Sequence, residues 1–103
     1  MTTSATNLVN MTANEIVGLL KKREVTPAEL LDALRERISE VDNKVNALPT
    51  LCWERAYKDA DKMSNLSLDE RGILAGLPVA IKDLNPVSGV RSTWGSPIYR
   101  DFV

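Results

Sequence analysis

The chain has 103 residues, a length that fits one small domain or part of a larger one. Apolar residues make up 44% of it, too large a share for a disordered chain, and 13 basic against 14 acidic residues leave a net charge of −1. That balance excludes the basic field of a nucleic-acid or anionic-membrane binder, and the lack of histidine excludes a Ser-His-Asp triad, a Cys-His pair and imidazole metal sites within this chain.

The start, Met1 to Met11, is rich in Thr, Asn and Ser and has neither the basic n-region nor the apolar h-region of a secretory leader. No apolar run reaches the roughly 18 residues of a membrane span. The single cysteine, Cys52, leaves no internal disulfide and no Cys-x-x-Cys site, and it reads as a free, partly buried thiol. These features together predict a soluble cytoplasmic protein.

Thr12-Ala13-Asn14-Glu15 has the spacing of a capping box, and Ile16, Leu19 and Leu20 share a face behind it, which predicts a helix over 13–23. A second box, Thr26-Pro27-Ala28-Glu29, puts proline at the first helical position, where its missing N–H costs nothing. Leu30, Leu34, Ile38 and Val41 then form a stripe, while Asp32, Glu36 and Glu40 share another face. This predicts a helix over 27–42. Residues 47–52, with Pro49 inside, read as an extended segment and at best an edge strand. Ala56, Ala60 and Met63 support a third helix over 54–63, and residues 65–71 form a polar link.

Leu77 to Lys82 is a compact apolar run entered through Gly76 and Pro78, which predicts a buried strand. Extended segment, helix and strand in that order match a crossover unit of an α/β sheet. Near Gly76 the chain changes character. Residues 1–75 hold 22 of the 27 charges, whereas residues 76–103 hold three of the five glycines, prolines and aromatics alike. Pro86, Gly89, Gly95 and Pro97 break any long element there, with Val87, Val90, Trp94, Ile98 and Tyr99 between them. A loop so rich in aromatics needs a body to pack on, and the chain stops on the apolar pair Phe102-Val103. The expectation is two segments, 1–75 and 76–103, of one larger domain truncated at residue 103.

Lys82 closes the run Val79-Ala80-Ile81, where a charged ammonium is costly to bury. The strand period puts Ala80 and Lys82 on one face and Val79, Ile81 and Asp83 on the other, so Asp83 is poorly placed to pair with its own neighbour. In a closed site, desolvation favours the neutral amine, which can act as a general base. The plain alternative is a strand end turning into solvent.

Gly76-Leu77-Pro78-Val79-Ala80-Ile81-Lys82-Asp83, followed by Val87, Gly89-Val90, Ser92-Thr93 and Gly95-Ser96-Pro97, resembles the N-terminal signature block of the amidase signature enzymes. The Thr-Pro-x-Glu-Leu start at Thr26 and Val45-Asn46-Ala47 extend the resemblance upstream. It implies an α/β fold, a mixed sheet covered by helices, of which this chain would supply the N-terminal helices and first strands. It also implies a Ser-cisSer-Lys triad that cleaves carboxylic amides through an acyl-enzyme, with Lys82 as the base and no metal or cofactor. Both triad serines lie downstream in the family, in a Gly/Ser-rich block. This chain contains no Ser-Ser pair, so by itself it is expected to be inactive. The implied partners are the remainder of its own chain and a small-molecule amide, with no nucleic acid or membrane, and the helix near the start is available for a homodimer contact.

Other candidates are weaker. Ser96 precedes Pro97 and lacks a nucleophile elbow. Glu36 and Glu40, between Arg35 and Arg37, read as a solvated face. Cys52 has no basic neighbour to activate it, and Trp94 and Tyr99 read as packing residues that could also line a substrate pocket. Two other readings stand beside the hydrolase. One is a stand-alone helical interaction module binding a partner helix through Leu30, Leu34, Ile38 and Val41; the other is part of the catalytic subunit of a tRNA-dependent amidotransferase, which shares the signature.

Overall fold

The computed structural model describes residues 5–103. Helices α1 (Ala5–Asn10), α2 (Ala13–Lys21), α3 (Pro27–Val45) and α4 (Trp53–Ser64) follow in order, and a short 3-10 turn spans Pro97–Tyr99. Helix α1 falls in the Thr/Asn-rich start, for which the sequence predicts no element. The first four residues of that start lie outside the described part.

Both capping boxes form. The Thr12 hydroxyl accepts the Glu15 N–H at 3.2 Å while the Glu15 carboxylate accepts the Thr12 N–H at 3.3 Å. Thr26 and Glu29 repeat the exchange at 3.1 and 3.3 Å, with Pro27 at the first helical position. The ends differ from expectation. Helix α2 stops at Lys21 because Arg23 turns left-handed (φ 58°), so that the N–H groups of Arg23 and Glu24 return to the carbonyls of Leu20 and Leu19 at 3.1 and 3.0 Å. Helix α3 continues to Val45, where left-handed Asn46 closes it and the Asp42 carboxylate accepts the Ala47 N–H at 2.8 Å.

The core is small. Leu8 of α1, Leu20 of α2, Val25, Leu30 and Ala33 of α3, and Ala75 from the loop after α4 form one cluster, with Ile16, Leu19 and Leu77 packed on it. Leu20 is fully buried. Helix α4 lies against α3, where the Tyr57 hydroxyl donates to the Asp32 carboxylate at 2.6 Å. That acceptor, with desolvation second, pushes the phenol above its ordinary range. The stripe expected to bind a partner helix is largely occupied within the chain, with Leu30 buried and Leu34, Ile38 and Val41 half-buried.

Among the described residues there is no strand. The α/β class predicted from the sequence is therefore not seen in this segment, which is helical followed by irregular chain. Residues 77–82, expected as a buried strand, carry no regular structure, and Val79 and Ile81 stand 64% and 54% exposed. A strand is completed by a neighbouring ladder, and none of the described residues supplies one. Residues 47–52 likewise form no edge strand. Cys52, at the N-cap of α4, is exposed rather than partly buried. Among the described residues no helix is long and apolar enough to cross a membrane.

The irregular half is seated on the helices at Gly76. Its φ is +102°, and an added Cβ would stand 2.7 Å from Cγ of the buried Pro27 ring. Gly89 also has positive φ (+78°) but faces open space. Alanine at either site takes on left-handed strain of about 1–2 kcal/mol, and only Gly76→Ala adds overpacking of about 1–3 kcal/mol. Urea unfolding should therefore show Gly76→Ala as clearly the less stable variant. Equal midpoints would contradict this seating.

Candidate functional site

The segment from Gly76 to Val103 contains the candidate base, Lys82, and the structure places it at an exposed position. Upstream of it, residues 78–81 make no ladder. Downstream, the chain turns at once, with the Asn85 N–H donating to the Lys82 carbonyl at 2.9 Å. An open apolar cleft of about 310 Å³ lies between α3, α4 and the arriving loop, lined by Leu31, Ala60, Met63, Leu77 and Val79 among others. Lys82 does not line it. The described residues thus display the lysine without enclosing it.

Lys82 is followed by the most densely bonded point of the loop. The Asp83 carboxylate accepts the Thr93 N–H at 2.9 Å through one oxygen and the Thr93 hydroxyl through the other. The Asp83 carbonyl accepts the Trp94 N–H at 3.3 Å, and the Leu84 carbonyl accepts the Trp94 indole N–H at 3.1 Å. Residues 83–93 therefore form a closed loop whose two ends are held together directly beside Lys82. The hydrogen bond from the Thr93 hydroxyl, then that from its N–H, hold the Asp83 carboxyl below its ordinary range, and Arg91 adds a smaller electrostatic contribution.

The far end of that loop is held in turn. Half-buried Arg91 donates to the Pro49 carbonyl at 2.9 Å, the Thr50 hydroxyl at 3.1 Å and the Arg100 carbonyl at 2.8 Å. The Ser92 N–H donates to the Phe102 carbonyl at 3.0 Å, and the Arg55 guanidinium donates to the Ser88 carbonyl. Trp94, Tyr99 and Phe102 gather their rings, with centroids 4.9 Å apart for Trp94 and Tyr99 and 5.1 Å for Trp94 and Phe102. Trp94 and Tyr99 thus pack with each other in this structure. The clamps made by Arg91, Thr93 and Asp83 were not singled out by sequence reasoning. Their partners lie about ten or more residues away, and the only trace in the sequence is the placement of Asp83 off the face of Lys82.

The remaining candidates are dispersed. The Ser96 hydroxyl accepts the Ile98 N–H at 3.3 Å and so caps the 3-10 turn. Glu36 and Glu40 are exposed, and Glu40 pairs with Arg37 at 3.3 Å. Among the described residues no group of three or more His, Cys, Asp or Glu gathers as a metal site.

Comparison with known proteins points in one direction. The sequence model of the Amidase family matches residues 29–103. A glutamyl-tRNA(Gln) amidotransferase subunit from Shouchella clausii is 35% identical over 93% of this chain and 20% of the relative. The corresponding subunits from Halothermothrix orenii and Geotalea daltonii are 40% and 37% identical, over 92% and 93% of the chain and 19% and 20% of the relatives. The chain thus spans about a fifth of the length of the curated relatives it matches. No solved structure is matched.

A carboxyl held low in the folded state stabilises the fold above its unfolded pKa, and that contribution is lost as pH falls through the lowered folded value. The Asp83 contribution should therefore be intact at neutral pH and disappear only in acid. In a carbon-13 NMR titration of the carboxylates, Asp83 should titrate below an ordinary aspartate, and Thr93→Val should move it back up. An unmoved Asp83 in that variant would contradict the Thr93 hydroxyl as the main cause.

Proposed function

The chain belongs to the amidase family, and from that premise we propose that it is the N-terminal part of an enzyme that cleaves carboxylic amide C–N bonds through a Ser-cisSer-Lys triad, with Lys82 as the base. The observation that carries this reading is the run Gly76–Asp83, which contains Lys82 and lies inside the region matched by the family.

In this reading the neutral Lys82 amine takes a proton through the bridging serine while the nucleophilic serine oxygen attacks the amide carbonyl. The tetrahedral oxyanion rests on backbone N–H groups. Collapse breaks the C–N bond, the amine leaves with the returned proton, and an ester remains on the serine. Water then attacks the ester by the same route, releasing the acid and restoring the serine proton. Both serines come from chain beyond the segment described. That remainder also covers the exposed apolar side chains around Lys82, Val79, Ile81 and Leu84, and by excluding water it favours the neutral amine. The substrate is a small-molecule amide.

A second reading is favoured by the names of the relatives, which are subunits of an amidotransferase. Here the same lysine would serve a glutaminase step within an assembly of protein subunits. Ammonia release from L-glutamine that requires a second protein of that assembly would select it over a self-sufficient amidase.

In the full-length enzyme, Lys82→Ala should abolish amide hydrolysis, measured as ammonia release, while the thermal unfolding midpoint stays near that of the wild type. Near-normal turnover in a folded Lys82→Ala variant would remove Lys82 from the mechanism.

A further inference from the structure

We infer that Thr93 and Trp94 are positioning residues for Lys82, acting on it through Asp83 and Leu84. The inference rests on the reading of Lys82 as the base and adds what fixes its place. Upstream, the nearest anchors are Gly76 against the Pro27 ring and Leu77 on the core, and between them and Lys82 residues 78–81 lack a ladder, with Val79 and Ile81 exposed. The hydrogen bonds nearest Lys82 lie on the downstream side, the first of them from the Asn85 N–H to the Lys82 carbonyl.

Four further hydrogen bonds hold that side. Thr93 gives its N–H and its hydroxyl to the two oxygens of the Asp83 carboxylate, and Trp94 gives its N–H to the Asp83 carbonyl and its indole N–H to the Leu84 carbonyl. The Thr93 hydroxyl oxygen also accepts the Gly95 N–H at 3.3 Å, which fixes the direction in which the hydroxyl donates. Trp94 has a positive φ of 51°, a strained conformation for a bulky residue. The strain is held by those two donors and by the rings of Tyr99 and Phe102. Neither Thr93 nor Trp94 forms a bond to Lys82 itself, so their influence passes along one or two peptide units. A general base works only when its nitrogen stands within hydrogen-bond reach of the proton it takes, and small displacements are costly.

The experiment uses the full-length enzyme and a fluorophosphonate, a probe that reports the activated serine whatever the natural amide. The serine oxygen forms a bond to phosphorus as the P–F bond breaks; fluoride leaves and the serine proton passes towards Lys82. Lys82→Ala, Thr93→Val, Thr93→Ser and Trp94→Phe are compared for the maximal labelling rate kinact and the concentration dependence KI, with thermal unfolding for each. Thr93→Val should lower kinact by about tenfold or more and leave KI unchanged, and Thr93→Ser, which keeps the hydroxyl, should restore most of the rate. A purely structural loss would instead lower the folded fraction and leave the rate of the folded molecules intact.

Wild-type kinact in folded Thr93→Val, or failure of Thr93→Ser to restore the rate, overturns the positioning role while a dead Lys82→Ala leaves the base assignment standing. Undiminished labelling of Lys82→Ala, or no labelling of the wild type, overturns both. If Thr93→Val does not fold, Trp94→Phe carries the test. It deletes the indole N–H to Leu84 and keeps an aromatic ring, smaller than the indole, against Tyr99 and Phe102; a lowered kinact at constant KI in the folded variant supports the role, whereas an unchanged kinact overturns it.

Discussion

The two hydrogen bonds from Thr93 to the Asp83 carboxylate close the loop that begins directly beside Lys82. Residues 76–103 have neither a helix longer than one 3-10 turn nor a strand, so regular backbone pairing cannot define them. A charged acceptor takes that place. Hydrogen bonds to a carboxylate are among the stronger ones available to a protein, and two on one group also fix its orientation. With that link made, residues 83–93 form a closed loop, Lys82 stands at its mouth, and Trp94 is brought to the carbonyls of Asp83 and Leu84. Without it, the far end of the loop would keep its Arg91 and aromatic contacts, but the end beside Lys82 would lose its closure.

The helical half contributes a platform of a different kind. Its core is aliphatic and small, and α2 and α3 are fixed at their starts by reciprocal caps. The two halves meet at defined points. Gly76 sits against the Pro27 ring at the start of α3, Ala75 enters the core, and Arg91 reaches back to Pro49 and Thr50 between α3 and α4. Around and beyond these points the chain is rich in exposed apolar side chains, with Ile73 at 83% and Ile98 at 86%. A surface of that kind suits a segment of a larger amidase domain, in agreement with the fifth of the relatives' length that it spans.

The helix starts at Thr12 and Thr26 were legible because a capping box is a local device, complete within four residues. The helix ends were less so. Whether Arg23 or Asn46 takes the left-handed conformation depends on how the following chain leaves, and neither is a glycine that would announce it. Helix α1 has no box and only six residues, and its membership of the core through Leu8 is a tertiary fact. The apolar run 77–82 has the composition of a strand, but a strand is a property of two segments, and the second is not among the described residues. The family was legible through the signature around Lys82. The clamp from Thr93 to Asp83 was not, because a contact ten residues apart in an irregular loop leaves no period to read.

The central claim is that Lys82 works as a neutral amine within an amide hydrolase of this family. The most direct measurement is the pH dependence of kcat/KM for amide hydrolysis by the full-length enzyme, which reports the ionisation of the free enzyme's essential base. The expected result is one ascending limb, showing a group that must lose its proton for activity. A rate that is flat from about pH 5 to 9, or one that falls as pH rises through neutrality, would contradict a lysine base.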